Sequence, residues 1–224
     1  SNRFHRSFNK GENSVNLSGD LTGGKKEGNV PFGTLVTMSE SPLRFGLIYT
    51  GSDDGFIHLT KDGGYSWTAI HSKLPKQVQG LYVSRVIASK FKESRVYVTL
   101  NGYRNDHFAA WVFVSEDYGT TWKQIFTDLP AEPVNVIRED PKQENLLYVG
   151  TDHALYVSVD AGASSMAWMR AWVDCAAAAR SASRPLVSRD SVADSETRTS
   201  TEAGASARSV SGRTRTSAGS TIDS

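Results

Sequence analysis

The stretch TKDGGYSWTAI, Thr60 to Ile70, decides the fold. It places Thr, Asp, Gly and Trp at relative positions one, three, five and eight, and SEDYGTTWKQI at Ser115 to Ile125 repeats that skeleton 55 residues later. A weaker copy, SFNKGENS, starts at Ser7, with Asn9 replacing Asp and Ser14 replacing Trp. Another, SVDAGASS, starts at Ser158 with Ser165 where Trp would stand. Four copies at a period of about 50 residues describe one structural unit repeated.

The residue types explain the spacing. In a tight turn an Asp carboxylate accepts hydrogen bonds from nearby backbone N–H groups, and Gly takes positive φ without a Cβ clash. The Trp then folds back as an apolar plug, burying on the order of 150–250 Å². The expected structural set is Thr60, Asp62, Gly64 and Trp67; Ser115, Asp117, Gly119 and Trp122; and Ser158, Asp160 and Gly162. Upstream of the boxes lie GLIYTGSDDGFIHL, SRVYVTLNGYRNDHFAAWVFV and ENLLYVGTDHALYVSV. These β-branched and aromatic runs, broken by Gly, Asn and Asp, read as hairpins. GTLVTMSES, SRVIASKF and VNVIRED read as a strand before each hairpin, WTAI and WKQI as a strand after. Four strands per unit, with the box turning the third into the fourth, predict an all-β chain of β-propeller blades.

Composition sets the outer limits. The chain has 224 residues, 38% hydrophobic and 22% charged, with net charge +1, so no strong field favours nucleic acid or an anionic membrane. One cysteine, Cys175, excludes an intrachain disulfide framework and any multi-Cys metal site, and the five histidines show no zinc spacing. No cofactor and no membrane insertion are expected. GGKKEG at Gly23 to Gly28 lacks the context of a phosphate-binding loop. The opening SNRFHRSFNKG has neither Met nor an apolar leader core, which reads as a piece of something longer. Every Phe and Tyr precedes Ser165, while Ala, Ser, Arg and Thr supply 35 of the 49 residues from Ala176 onward. Such a tail cannot bury enough apolar area to offset its ordering entropy. The expected organisation is the outer strands of a preceding blade over 1–18, blades over 30–72 and 82–127, an incomplete blade over 133–165, and a disordered or frameshifted tail over 166–224.

The boxes and the LYVGT strand resemble the BNR/Asp-box repeat proteins, among them sialidases, xyloglucanases and sortilin-type propellers. From Arg3 to Ala163 the chain is most similar to the large bacterial BNR-repeat proteins often labelled glycosyl hydrolases. The resemblance implies a secreted or periplasmic parent, the remaining blades of its ring as partners, and a polysaccharide or protein ligand. Two function classes follow: an interaction module of sortilin type, or a glycoside hydrolase.

Strand alternation assigns the loops to two ends of the propeller, and ligand sites favour loops on a rigid scaffold. The end opposite the boxes carries SDDG (Ser52 to Gly55), NGYRNDHFAA (Asn101 to Ala110) and TDHA (Thr151 to Ala154). Xyloglucanases carry acid/base Asp residues directly after similar strands, which by resemblance makes Asp53 and Asp152 catalytic candidates. Glycoside hydrolysis uses paired carboxylates, one protonating the leaving oxygen and the other activating water or attacking. An Asp in such a turn is equally an ordinary turn former. Asp54, Tyr103, Arg104, Asp106 and His153 are the candidate ligand contacts, an aromatic and a guanidinium being suited to stack on a sugar or grip a carboxylate. A solvated loop with an internal Arg–Asp pair is the alternative for the Tyr103 segment. No motif places the three-Arg cluster of a sialidase.

The tail departs from the family. Reading the codons of SMAWMRAWVDC (Ser165 to Cys175) one base earlier permits HGMDAGLGGL, which is similar to the family's continuation after its last box. A frameshift near Ser165 is therefore expected, a Ser/Ala-rich linker being the alternative. Sequencing the coding DNA checks it: a shifted frame that soon meets stop codons refutes the frameshift.

Overall fold

The computed structural model describes residues 1–24 and 33–170; the expected tail beyond Arg170 lies outside them. Apart from three short 3-10 turns, the regular elements there are all β-strands. β1 (His5–Arg6) and β2 (Val15–Asn16) form an antiparallel pair. The first four-stranded sheet follows in chain order: β3 (Leu35–Glu40), β4 (Ile48–Ser52), β5 (Ile57–Thr60) and β6 (Thr68–Ala69). The second comprises β7 (Tyr82–Ala88), β8 (Val96–Gly102), β9 (His107–Ser115) and β10 (Lys123–Ile125). The third comprises β11 (Val134–Glu139), β12 (Leu147–Thr151), β13 (Ala154–Ser158) and β14 (Met166–Arg170). Each sheet is an antiparallel meander. β14 pairs as a fourth strand beyond the boundary that composition placed at residue 165.

The sheets stack face to face, and the cores lie between them. One cluster joins Tyr49, Ile57, Leu59 and Ile70 of the first sheet to Val86, Val98, Leu100 and Phe113 of the second. A second joins Ile87, Tyr97, Val112 and Ile125 to Val134, Ile137, Leu147 and Val149 of the third. A third joins Phe4 and Leu17 to Ile48 and Trp67. Within β8, Val96, Val98 and Leu100 enter the first core while Tyr97 enters the second. The period of two therefore splits a continuous apolar strand between two interfaces, and the middle sheet is buried on both faces.

All four boxes form the same corner. The first-position hydroxyl donates to the third-position side chain and accepts from the fifth-position N–H: Ser115 Oγ to Asp117 at 2.8 Å, and Gly119 N to Ser115 Oγ at 2.7 Å. The same two bonds recur at Ser7, Thr60 and Ser158. The third-position oxygen also accepts the seventh backbone N–H, at 2.8–3.0 Å in all four copies. In the three Asp copies a seventh-position hydroxyl adds a further bond. These donors stabilise the ionised carboxylates. The Ser66 hydroxyl above all holds Asp62 well below the ordinary range, the Thr121 N–H does the same for Asp117, and the Ser164 hydroxyl holds Asp160 at about 2.

The corner also clamps the preceding sheet. Its fifth residue has φ of +112° at Gly64, +84° at Gly119 and +86° at Gly162. A Cβ there would lie 2.9 Å from Phe4, 2.5 Å from Ile70 and 2.9 Å from Ile125, each a residue of the unit before. Glycine is thus required twice, for the left-handed backbone and for the close approach. Trp67 packs edge-to-face on Phe4 at 5.3 Å and donates to Gly64 O and Leu17 O. Trp122 packs against the first core with its indole nitrogen buried and without a hydrogen bond, so its contribution is apolar contact alone. Ser165, at the Trp position of the last corner, instead donates from N and Oγ to Asp128 of the preceding unit.

Truncating the plug should be costly. Trp122→Ala is expected to destabilise by about 3 kcal/mol, the low end for a Trp truncation because the indole is half-buried. A lowered urea midpoint checks this; one equal to the parent's overturns it.

Candidate functional site

The end opposite the corners is built from the β4–β5, β8–β9 and β12–β13 turns and the connections entering β3, β7 and β11. The entering strand carries a bulge at the same place in each sheet, leaving Val36, Ser84 and Asn135 as the extra residues. A bulge re-aims its side chain. Ser84 donates to Val134 O at 2.7 Å, tying the second sheet to the third. Asn135 donates to Asp152 Oδ1 at 2.6 Å and accepts from Asn101 Nδ2 at 2.9 Å, while Asn101 Oδ1 accepts the Tyr103 N–H at 2.9 Å. This relay crosses from the second sheet to the third.

Above it lies a cavity of about 310 Å³ lined by Tyr82, Asn101, Tyr103, Arg104 and Asp152. Three of the sequence candidates, Tyr103, Arg104 and Asp152, meet there. Tyr103 is 62% exposed and packs edge-to-face on Phe108 at 5.9 Å. The Arg104 guanidinium lies over the Tyr82 ring, 5.3 Å from its centre. The internal Arg–Asp pair considered for this loop does not form: Asp106 instead ends the turn in a left-handed conformation, φ +54°, with its N–H on Tyr103 O. His107 accepts the Trp111 indole N–H at 3.0 Å, and the two rings lie parallel, bracing the start of β9.

The other candidates hold loops. Asp54 is fully buried; its two oxygens accept from Ser52 Oγ at 2.5 Å and Gly23 N at 2.7 Å. Asp53, 6% exposed, accepts the Thr34 N–H at 2.7 Å and donates its own N–H to Thr34 O. Both therefore clasp the connection entering β3, and neither lines the cavity with Asp152. His153 faces Glu132 at 3.7 Å, and Glu132 in turn accepts from Thr151. Among the described residues no group of three or more His, Cys, Asp or Glu could hold a metal ion, and no helix is long and apolar enough to cross a membrane.

Compared with solved structures, the chain is similar to an ancestral GH74 enzyme, with 17% identity and a TM-score of 0.54 over 72% of this chain and 20% of that one. The fold is that of a β-propeller. The chain is also similar to the GH74 enzyme of Niastella koreensis (15% identity, TM-score 0.49, 62% of this chain and 23% of that one). A further similarity is to YCF48 from Cyanidioschyzon merolae (18% identity, TM-score 0.45, 65% and 40%). The propeller segment thus spans about a fifth of the ancestral enzyme's length. No family model and no curated protein matches the sequence.

Tyr82, Asn101 and Asn135 were missed by sequence reasoning. Asn101 stood in a loop assigned to this end, but a polar residue at a strand end gives no sign of its aim. Asn135 depends on a bulge, which leaves no periodic signature.

Beside the clasped turn, Phe56 packs on His71 at 4.3 Å and on His58 at 6.3 Å, and Nδ1 of each histidine is buried without a hydrogen bond. Burial pushes both imidazoles below the ordinary value; at His58 the neighbouring His71 adds to the shift while the Leu21 backbone, Asp54 and Asp20 oppose it, and at His71 the Ile57 backbone and Asp54 oppose it. A depressed folded value means the unfolded chain takes protons first, so stability present above about pH 6.5 is lost as pH falls. The thermal midpoint should drop by about 3 °C from about pH 7 to about pH 5. The double variant His58→Asn, His71→Asn should flatten that slope; an unchanged slope, read by circular dichroism, overturns the assignment.

Proposed function

We propose that the chain is a BNR/Asp-box propeller segment serving as an extracellular ligand-binding module, for polysaccharide or protein, on the end opposite its corners. One observation carries the reading: the cavity between the second and third sheets gathers an exposed aromatic, a guanidinium and a carboxylate on a braced scaffold. Ligand sites combine few oriented polar groups with ring faces in such clefts. Three hydroxyl–carboxylate–glycine corners, and a fourth with Asn9 in place of Asp, support the Asp-box assignment, and the secreted or periplasmic setting rests on the family resemblance.

Glycoside hydrolysis is the second reading, and the exposed Asp152 favours it. It needs a partner carboxylate across the substrate. Asp53, the sequence candidate, is buried and bonded to Thr34, which weighs the balance toward binding.

The test titrates the chain with soluble oligosaccharide and peptide panels, followed by NMR. Binding that Tyr103→Ala weakens about tenfold, with no turnover, supports the module. Release of reducing sugar that is abolished in Asp152→Asn supports the enzyme. No binding and no turnover by either panel overturns both.

A further inference from the structure

We infer that the cavity takes a sugar bearing a carboxylate, a hexuronate unit, with Arg104 gripping the acid and Asp152 the hydroxyls; this rests on the binding reading above. The carrying observation is the state of Arg104. Among the described residues its guanidinium has no hydrogen bond and no ion pair, although Asp106 is two residues away and Asp152 lines the same cavity. Arg44 is paired with Glu93, Arg95 with Glu116 and Glu144, and Arg6 with Glu40. Among the described residues the Tyr82 ring alone holds the Arg104 guanidinium. A guanidinium stacked by its face keeps its edge N–H groups for a planar acceptor, and a carboxylate fits that fork bidentately.

The opposite side of the cavity supplies the complementary pole. Asp152 spends one oxygen on Asn135, so the relay fixes the carboxylate in place while leaving acceptor capacity for ligand donors. A ligand with its negative charge toward Arg104 and donors toward Asp152 gives the guanidinium an ion pair and the carboxylate hydrogen bonds. The donors are hydroxyls of a sugar rather than side chains of a peptide for two reasons. Among the described residues no aliphatic side chain lines the cavity, so a peptide would find no aliphatic anchor pocket there. Tyr103, 62% exposed at the rim, offers a ring face to stack on. The volume, at the lower end for small-molecule sites, accepts a few sugar rings and not a folded domain.

Isothermal titration of the full chain with trigalacturonate, with the neutral trisaccharide of galactose, and with an acidic tetrapeptide tests this. The uronate should bind about tenfold more tightly than the neutral sugar, and added salt should narrow the gap. Arg104→Gln should bring the uronate down to the neutral affinity while sparing the latter. Arg104→Lys, keeping charge but not the fork, should recover only part of the preference. Asp152→Asn should weaken both sugars. Both sugars binding alike, a preference that survives Arg104→Gln, or the peptide binding in place of the uronate would overturn the inference and leave a binding cavity standing. No binding of any of the three probes would overturn the inference, and failure across the wider panels as well would remove the binding reading beneath it.

Discussion

Everything in this molecule hangs on one hydrogen-bonded corner: a hydroxyl that hands its proton to a carboxylate and takes one from the backbone four residues on. That pair of bonds forces two consecutive residues into left-handed backbone, Tyr118 and Gly119 in the clearest copy. The turn this makes is tight enough to press a glycine Cα against the sheet before it. Local satisfaction of polar groups and long-range packing are therefore the same event. Asn9 Oδ1 accepts the Ser7 hydroxyl and the Asn13 N–H as the aspartates accept theirs, so geometry is set by the acceptor and reinforced by its charge.

Further joints repeat the step from sheet to sheet. Thr37 and Ser39 accept the N–H groups of Val86 and Ala88 across the gap between β3 and β7. Buried Glu139 accepts from Ser89, Lys90 N and Tyr97 of the sheet before it. On the corner side, Arg44 meets Glu93 and Arg95 meets Glu144, each pair 49 residues apart. These exposed pairs add little individually. Their recurrence shows the same step from sheet to sheet repeated on the corner side.

The corners were legible because their chemistry is local: hydroxyl, carboxylate and glycine act within five residues, and the Trp follows within eight. Strand order followed from alternation and the repeat. The seventh-position hydroxyls of Ser66, Thr121 and Ser164 escaped notice, since Ser and Thr are common in any loop. The ligand end was legible only as a set of loops. Asp53 and Asp152 look alike in sequence, each following a strand and a small hydroxyl residue, yet one is clasped by Thr34 and the other reaches the cavity. What separates them is the backbone of the connection entering Asp53's own sheet ahead of β3, a non-local partner. Asn135 was invisible for a related reason, because a register slip and not its identity turns it inward.

The Gly119 contact gives the stack a direction. Each corner belongs covalently to one sheet but seals the flank of its predecessor, as Ile70 under Gly119 and Ile125 under Gly162 illustrate. The joints are therefore ratcheted, not mirror-symmetric: damage at one corner frays the unit upstream of it while its own strands remain paired. Order in such an array is inherited backward along the chain, with every newly synthesised unit finishing the one that emerged before it.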